Sequence, residues 1–291
     1  MNQLREFFSG IIDYAGLFPP AGLDMSSAVR QYAMHRAGPD CDLLGRFVVP
    51  VSRLDEFATA ASPLIGASAQ WKVSAIASEH PDLTRRAIDR FNSIYGTVLC
   101  DSVEMPVASY DDITQATAAF QDDLALFLEV SPHSDPISLL REIALTPASA
   151  KLRTGGVVES AIPSPEQVVR FLEVCVEEGV PFKATAGLHH AIRGRYPLTY
   201  DPSSASAMMF GYLNIFFGAA FCAAGSSSSS ILGIVEETNP AAFRVDDRGV
   251  WWDDHVVVHE QLASVRQTVA VSFGACSFSE PVGEARSLNL I

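Results

Sequence analysis

Short apolar runs alternate with longer amphipathic ones along most of the chain. Leu43 to Val51, Trp71 to Ala77, Thr97 to Met105 and Leu124 to Val130 each read as a buried strand. Between them lie stretches that open on helix-starting residues. Asp24-Met25-Ser26-Ser27 precedes a helix through His35, and Ser52 precedes one from Arg53 to about Leu64. His80-Pro81-Asp82, Ser109-Tyr110-Asp111-Asp112 and Asp135-Pro136 open three more. A first strand is expected within Phe8 to Phe18, ahead of Pro19-Pro20. Ala150 to Gly156 and Pro181 to His190 supply a sixth and a seventh, joined by a helix that opens at Ser164-Pro165-Glu166 and closes at Gly179.

Strand and helix recur about every thirty residues, the pattern of repeated right-handed βαβ units on a parallel sheet. The expected fold is therefore α/β: one (β/α)8 TIM-barrel domain over residues 1–291. It would carry an apolar helix at 205–224 and a C-terminal hairpin, helix and tail over 243–291. No eighth strand stands out. Ile231 to Glu237 reads as a strand or short helix, and Phe243 to Trp252 as a hairpin, one arm of which could close the barrel. His259 to Phe273 reads as a final helix and Ser277 to Ile291 as a tail. A doubly wound open sheet is the rival, but no GxGxxG follows the first strand.

Composition narrows the function. A formal charge of −14 argues against a nucleic-acid partner and against an anionic membrane surface. An anionic small-molecule substrate would need a local basic pocket. Five widely spaced cysteines with no CxxC or zinc pattern read as reduced thiols in a cytoplasmic protein. The N-terminus, Met1-Asn2-Gln3-Leu4-Arg5-Glu6, lacks the basic region and apolar core of a signal peptide. Ala205 to Ala224 reads as a buried or interface helix rather than a membrane span, and as an interface it would support a homodimer.

The chain has three lysines, Lys72, Lys151 and Lys183, and each falls in a strand-like segment. A buried ammonium is costly unless it is paired, or unless its altered basicity is put to use. Lys151 and Lys183 would sit on adjacent strands, where a second cation and a dry pocket favour a neutral, nucleophilic amine. Catalytic groups of such barrels gather at the C-terminal strand ends. That rule selects Asp13, Glu104, Glu129, Lys151, Lys183 and His189 for catalysis. It selects Tyr14, Arg46, Lys72, Arg153, Thr154, Gly155, Gly156, Thr185, His190 and Arg193 for holding substrate. The rival reading of the lysines is structural: salt bridges to Glu104 and Glu129 inside the barrel. Cys276 has no base beside it in the sequence and reads as a buried structural thiol.

Lys151-Leu152-Arg153-Thr154-Gly155-Gly156 and Lys183-Ala184-Thr185-Ala186-Gly187-Leu188 resemble the lysine strands of class I, Schiff-base aldolases of the deoxyribose-phosphate aldolase type. The resemblance spans about forty residues. It implies that Lys151 forms an imine, that Lys183 tunes it, and that Glu104 or Glu129 moves protons. It implies no cofactor and no metal. Leu152-Arg153 and His189-His190 depart from that pattern. Two other functions compete on the same barrel. One is a metal-dependent lyase or hydrolase using Glu104, Glu129 and either His189 or His190. The other is a non-catalytic barrel that binds a ligand or partner.

Overall fold

A computed structural model describes residues 3–66, 70–77, 80–120 and 123–291. Met1 and Asn2, which open the N-terminus discussed above, lie outside the described residues. Thirteen strands are described. They are β1 (Ile12–Tyr14), β2 (Leu44–Pro50), β3 (Trp71–Ile76), β4 (Val98–Val107), β5 (Ala125–Val130), β6 (Ser149–Arg153), β7 (Phe182–Thr185), β8 (Gly194–Pro197), β9 (Ser206–Met209), β10 (Phe243–Val245), β11 (Gly249–Trp252), β12 (His255–Val258) and β13 (Ala270–Ala275). Eight of them form a closed barrel in the order β1-β13-β7-β6-β5-β4-β3-β2, and every neighbouring pair is parallel. The α/β barrel read from the sequence is the fold observed.

Helices α1 (Gln3–Phe7), α2 (Met25–Ala37), α3 (Leu54–Ala61), α4 (Pro81–Ile94), α5 (Tyr110–Ala119), α6 (Ile137–Ala144) and α7 (Pro165–Glu177) precede or link the first seven strands. Their starts follow the chemistry of the chain. Asp24 accepts a hydrogen bond from the Ser27 amide. Ser109 with Asp112, and Ser164 with Gln167, form reciprocal capping boxes that satisfy otherwise orphaned amides. Pro81 and Pro165 stand in first turns, where a missing N–H costs nothing.

The eighth strand corrects the sequence reading. Neither Ile231–Glu237 nor the hairpin closes the barrel; β13 does. The run read as one helix from His259 to Phe273 is helix α10 (His259–Thr268) followed directly by β13. Ile231–Glu237 belongs largely to helix α9 (Ser228–Glu236). The hairpin gains a third strand and forms the separate β10-β11-β12 sheet. Arg266 of α10 anchors this closure. Its guanidinium donates to the carbonyls of Phe7 and Ser9 before β1 and of Ala270 and Val271 in β13.

The apolar segment at 205–224 is also recast. It contains β9 and helix α8 (Tyr212–Ala223), and every residue from Tyr212 to Phe221 is buried. Tyr212 stacks on Phe273 at 5.0 Å, and Phe216 lies 6.1 Å from Phe182. Each such aromatic contributes about 1.5–3 kcal/mol by leaving water. The helix is buried within the chain rather than exposed as an interface of its own. No helix among the described residues is long and apolar enough to cross a membrane. Helix α11 (Ser279–Ser287), read as tail, packs back onto the chain: Glu284 accepts from the Ala191 amide and the Pro281 carbonyl from the Tyr212 hydroxyl.

Candidate active site

Side chains alternate between the two faces of a strand, so one residue in two of each barrel strand points inward. In this barrel part of the inward set is charged. Asp13 from β1, Glu104 from β4, Lys151 from β6 and Lys183 from β7 are all buried among apolar walls. Register places Glu129 of β5, Lys151 and Lys183 level: Glu129 pairs with Lys151, and Lys151 pairs with Lys183.

Glu104 lies between the two lysines. One carboxylate oxygen is 2.9 Å from Lys151 Nζ and the other is 2.6 Å from Lys183 Nζ. Lys183 is held a second time, by Asp13 at 2.6 Å. Lys151 is held a second time by Glu129 at 2.8 Å, which also accepts from Arg153 at 3.0 Å. Hydroxyls complete the network: Ser74 donates to Glu104 at 2.7 Å, and Ser272 to Asp13 at 2.9 Å. Three carboxylates thus meet two ammonium groups and one guanidinium.

Burial opposes both charges of each pair, and the partners outweigh it. The Lys183 ammonium loses solvation, yet Asp13 and Glu104 hold its pKa above the ordinary lysine value. Burial alone would raise Glu104, but Lys151 and Lys183 drive it far below the usual carboxylate range. Glu129 is also depressed, mainly by Lys151 against its own burial.

Above this network opens a cavity of about 450 Å³, within the range of small-ligand sites. Glu104, Glu129, Lys151 and Lys183 form its polar floor. Phe18, Pro19, Val48 and Ile76 supply apolar wall, and Arg153, Gly156, Thr185, Gly187 and His189 stand around it. The turn after β7 is shaped for close approach. Ala186 and Gly187 both have positive φ, +62° and +80°, and the Gly155 and Gly187 backbones nearly touch. Thr154 is buried beneath the turn, donating to the Ala186 carbonyl at 2.6 Å.

The sequence-selected residues therefore divide. Asp13, Glu104, Glu129, Lys151 and Lys183 form one network, and Arg153, Gly156, Thr185 and His189 share its cavity. Thr154 and Gly155 shape the rim from behind. Five others sit elsewhere. Tyr14 points outward and donates to Gln31 at 2.9 Å. Arg46 and Lys72 come early in their strands, at the opposite end of the barrel, where both pair with Asp101. His190 stacks on Tyr196 at 3.5 Å and bonds Glu284 at 2.7 Å. Arg193 packs over Phe210, and its backbone N–H donates to Asn214. Of the residues named for the metal alternative, Glu104 and Glu129 pair with lysines, His189 shares the cavity and His190 pairs with Glu284. Among the described residues no group of three His, Cys, Asp or Glu side chains converges on a metal position.

Sequence reasoning missed Ser74 and Ser272, whose only signal was a hydroxyl on an inward strand position. It also missed the partners of His189. Cys276 Sγ lies 3.7 Å from its Nδ1, and Glu280 lies 3.3 Å from the same nitrogen. Cys276 is buried as expected, but beside a base. Burial alone would depress His189; Cys276 and Glu280 overcome it and push it up to about 9. Tyr200 donates to Glu280 at 2.9 Å over the same spot. In comparisons with known proteins, no family model, no curated protein and no solved structure matches this chain.

Proposed function

We propose that this barrel is a lyase-type enzyme that works on a small, anionic carbonyl compound through a lysine imine, by aldol cleavage or condensation. The observation that carries the reading is one carboxylate bridging two amines at the floor of a ligand-sized cavity. A salt bridge built for stability alone is often matched or outdone by apolar packing of equal volume, so four buried ionic groups beneath an open cavity favour chemistry.

Lys151 is the amine that forms the imine. Its contacts to Glu104 and Glu129, at 2.9 and 2.8 Å, are longer than those of Lys183, and Glu129 is shared with Arg153. A proton leaving Lys151 passes to one of these carboxylates. The free amine then adds to the substrate carbonyl carbon, and the protonated carboxylate helps expel water. Lys183, kept cationic by Asp13 and Glu104, supplies positive charge beside the nitrogen where electrons collect when the C–C bond breaks. Arg153 and His189 give the cavity the positive charge that an anionic substrate needs.

These roles for Lys151 and Lys183 are those implied by the resemblance to deoxyribose-phosphate-type aldolases. Arg153 and His189, where this chain departs from that pattern, both line the cavity, which favours a different substrate. Borohydride reduction in the presence of small aldehydes and keto acids tests the proposal. A reduced adduct on Lys151, lost in Lys151→Met, is expected. No adduct on either lysine, with turnover intact in Lys151→Met and Lys183→Met, would reject it.

A further inference from the structure

The lysine mechanism leaves one reactive group of the cavity unused. Cys276 immediately follows β13, the strand next to β7, and its side chain lines the cavity wall. His189, from the loop after β7, stands against it, with Nδ1 3.7 Å and Nε2 3.9 Å from Sγ. Glu280 of α11 takes Nδ1 at 3.3 Å, which leaves Nε2 to exchange a proton with the thiol. Tyr200, from the β8–β9 turn, donates to Glu280 at 2.9 Å and lies 3.7 Å from Sγ. Nucleophile, base and orienting carboxylate therefore follow one another in contact, the arrangement that activates a thiol. A buried structural cysteine needs none of these neighbours. Cys100 and Cys175, buried too, lie away from this histidine.

We propose that Cys276 is a second covalent station in the cavity, a nucleophilic thiol served by His189 and oriented through Glu280 that takes up a small aldehyde. The proposal rests on reading this cavity as a carbonyl site, and it deepens that reading by assigning a place to the second carbonyl component. In the reacting pair the thiol proton resides on His189, so Sγ acts as a thiolate against the imidazolium. Sγ forms a bond to the aldehyde carbon, and the C=O π electrons move to oxygen. The imidazolium returns its proton to that oxygen, giving a neutral hemithioacetal. The step is reversible and needs no oxidant or other reactant. Lys151 and Cys276 then hold one partner each in a shared cavity, so the two components are brought together by the protein rather than by collision.

The test uses the full chain and iodoacetamide at neutral pH, with peptide mass spectrometry reading each cysteine. Cys41, which is exposed, is the internal reference for an ordinary thiol. Cys276 is expected to alkylate at least about tenfold faster than Cys41, as thiols beside a cationic imidazole do. His189→Ala and Glu280→Gln should each remove most of that advantage, and Tyr200→Phe, which keeps the ring, should reduce it. Lys151→Met should leave it intact. In that variant, excess glyoxylate, the smallest anionic aldehyde, should protect Cys276 and not Cys41. A Cys276 no faster than Cys41, or equally fast in the His189 and Glu280 variants, overturns the activated thiol. Fast alkylation without protection by glyoxylate overturns aldehyde capture. Because the decisive arm lacks Lys151, failure here is distinct from failure of the imine, which borohydride trapping reports.

Discussion

Lys151 and Lys183 stand level on adjacent parallel strands, and a single carboxylate lies against both ammonium groups. That carboxylate, Glu104, is 1% exposed. Glu104→Leu should leave each buried ammonium with a single carboxylate, Asp13 or Glu129, and an excess of buried positive charge, lowering stability by about 3–5 kcal/mol at neutral pH. Urea unfolding measures this. The deficit should shrink at high pH, where an amine can give up its proton. A loss below about 1 kcal/mol would mean that the lysines find other partners.

His189 predicts a pH dependence of stability on the alkaline side. Its folded-state value of about 9 lies above the ordinary 6.5, so the group binds its proton more tightly when folded. Its contribution is complete below about 6.5 and is lost as pH rises through about 9. The full amount is at most about 3 kcal/mol. Thermal unfolding of the wild type should fall across that window, and His189→Asn should flatten the curve. Equal slopes in the two proteins would contradict the pairing with Cys276 and Glu280.

Gly187 is a backbone position with little tolerance. At φ +80° a side chain is strained, and an added Cβ would lie 3.2 Å from the Gly155 Cα. Gly187→Ala should cost about 1–2 kcal/mol from conformation alone. It should also slow turnover, since this turn forms part of the cavity wall. Unfolding and steady-state kinetics on one preparation separate the two effects.

Lys72 supplies the contrasting case. Its side chain is 59% exposed, and its ion pair with Asp101, at 3.3 Å, is at the end of the barrel away from the cavity. Lys72→Ala should change stability by less than about 1 kcal/mol. Turnover should stay within about twofold of wild type, whereas Lys151→Met should abolish it. A large kinetic effect at Lys72 would move the functional site to the other end.

Much of this was legible in the chain. Seven strands were readable because buried parallel strands are nearly continuous apolar runs, and each helix between them opens on a cap or a proline. Lys151 and Lys183 stood out because a cation within such a run demands a partner. Arg46 and Lys72 stood out for the same reason, but hydrophobic pattern does not say at which end of a strand a charge emerges. Ala270 to Ala275 escaped because it follows α10 after only Val269, with no turn residue between them. Cys276, His189 and Glu280 escaped because they meet through the closure of β13 beside β7. Residues 87 apart in the chain carry no mutual signal. The apolar run at Ala205–Ala224 was correctly seen as unusual, but composition does not tell a helix buried by its own chain from one awaiting a second copy.

The strand that shuts the barrel is the last of its eight to be made. Until residues 270–275 leave the ribosome, β1 and β7 each keep one edge without its final neighbour, although the other barrel strands have long been synthesised. Ser272 and Cys276 arrive with that same segment. A nascent or prematurely terminated chain is thus an open, edge-bearing sheet with no enclosed chamber, exposed to pairing with other chains. Translation of this one segment converts an aggregation-prone scaffold into a sealed one.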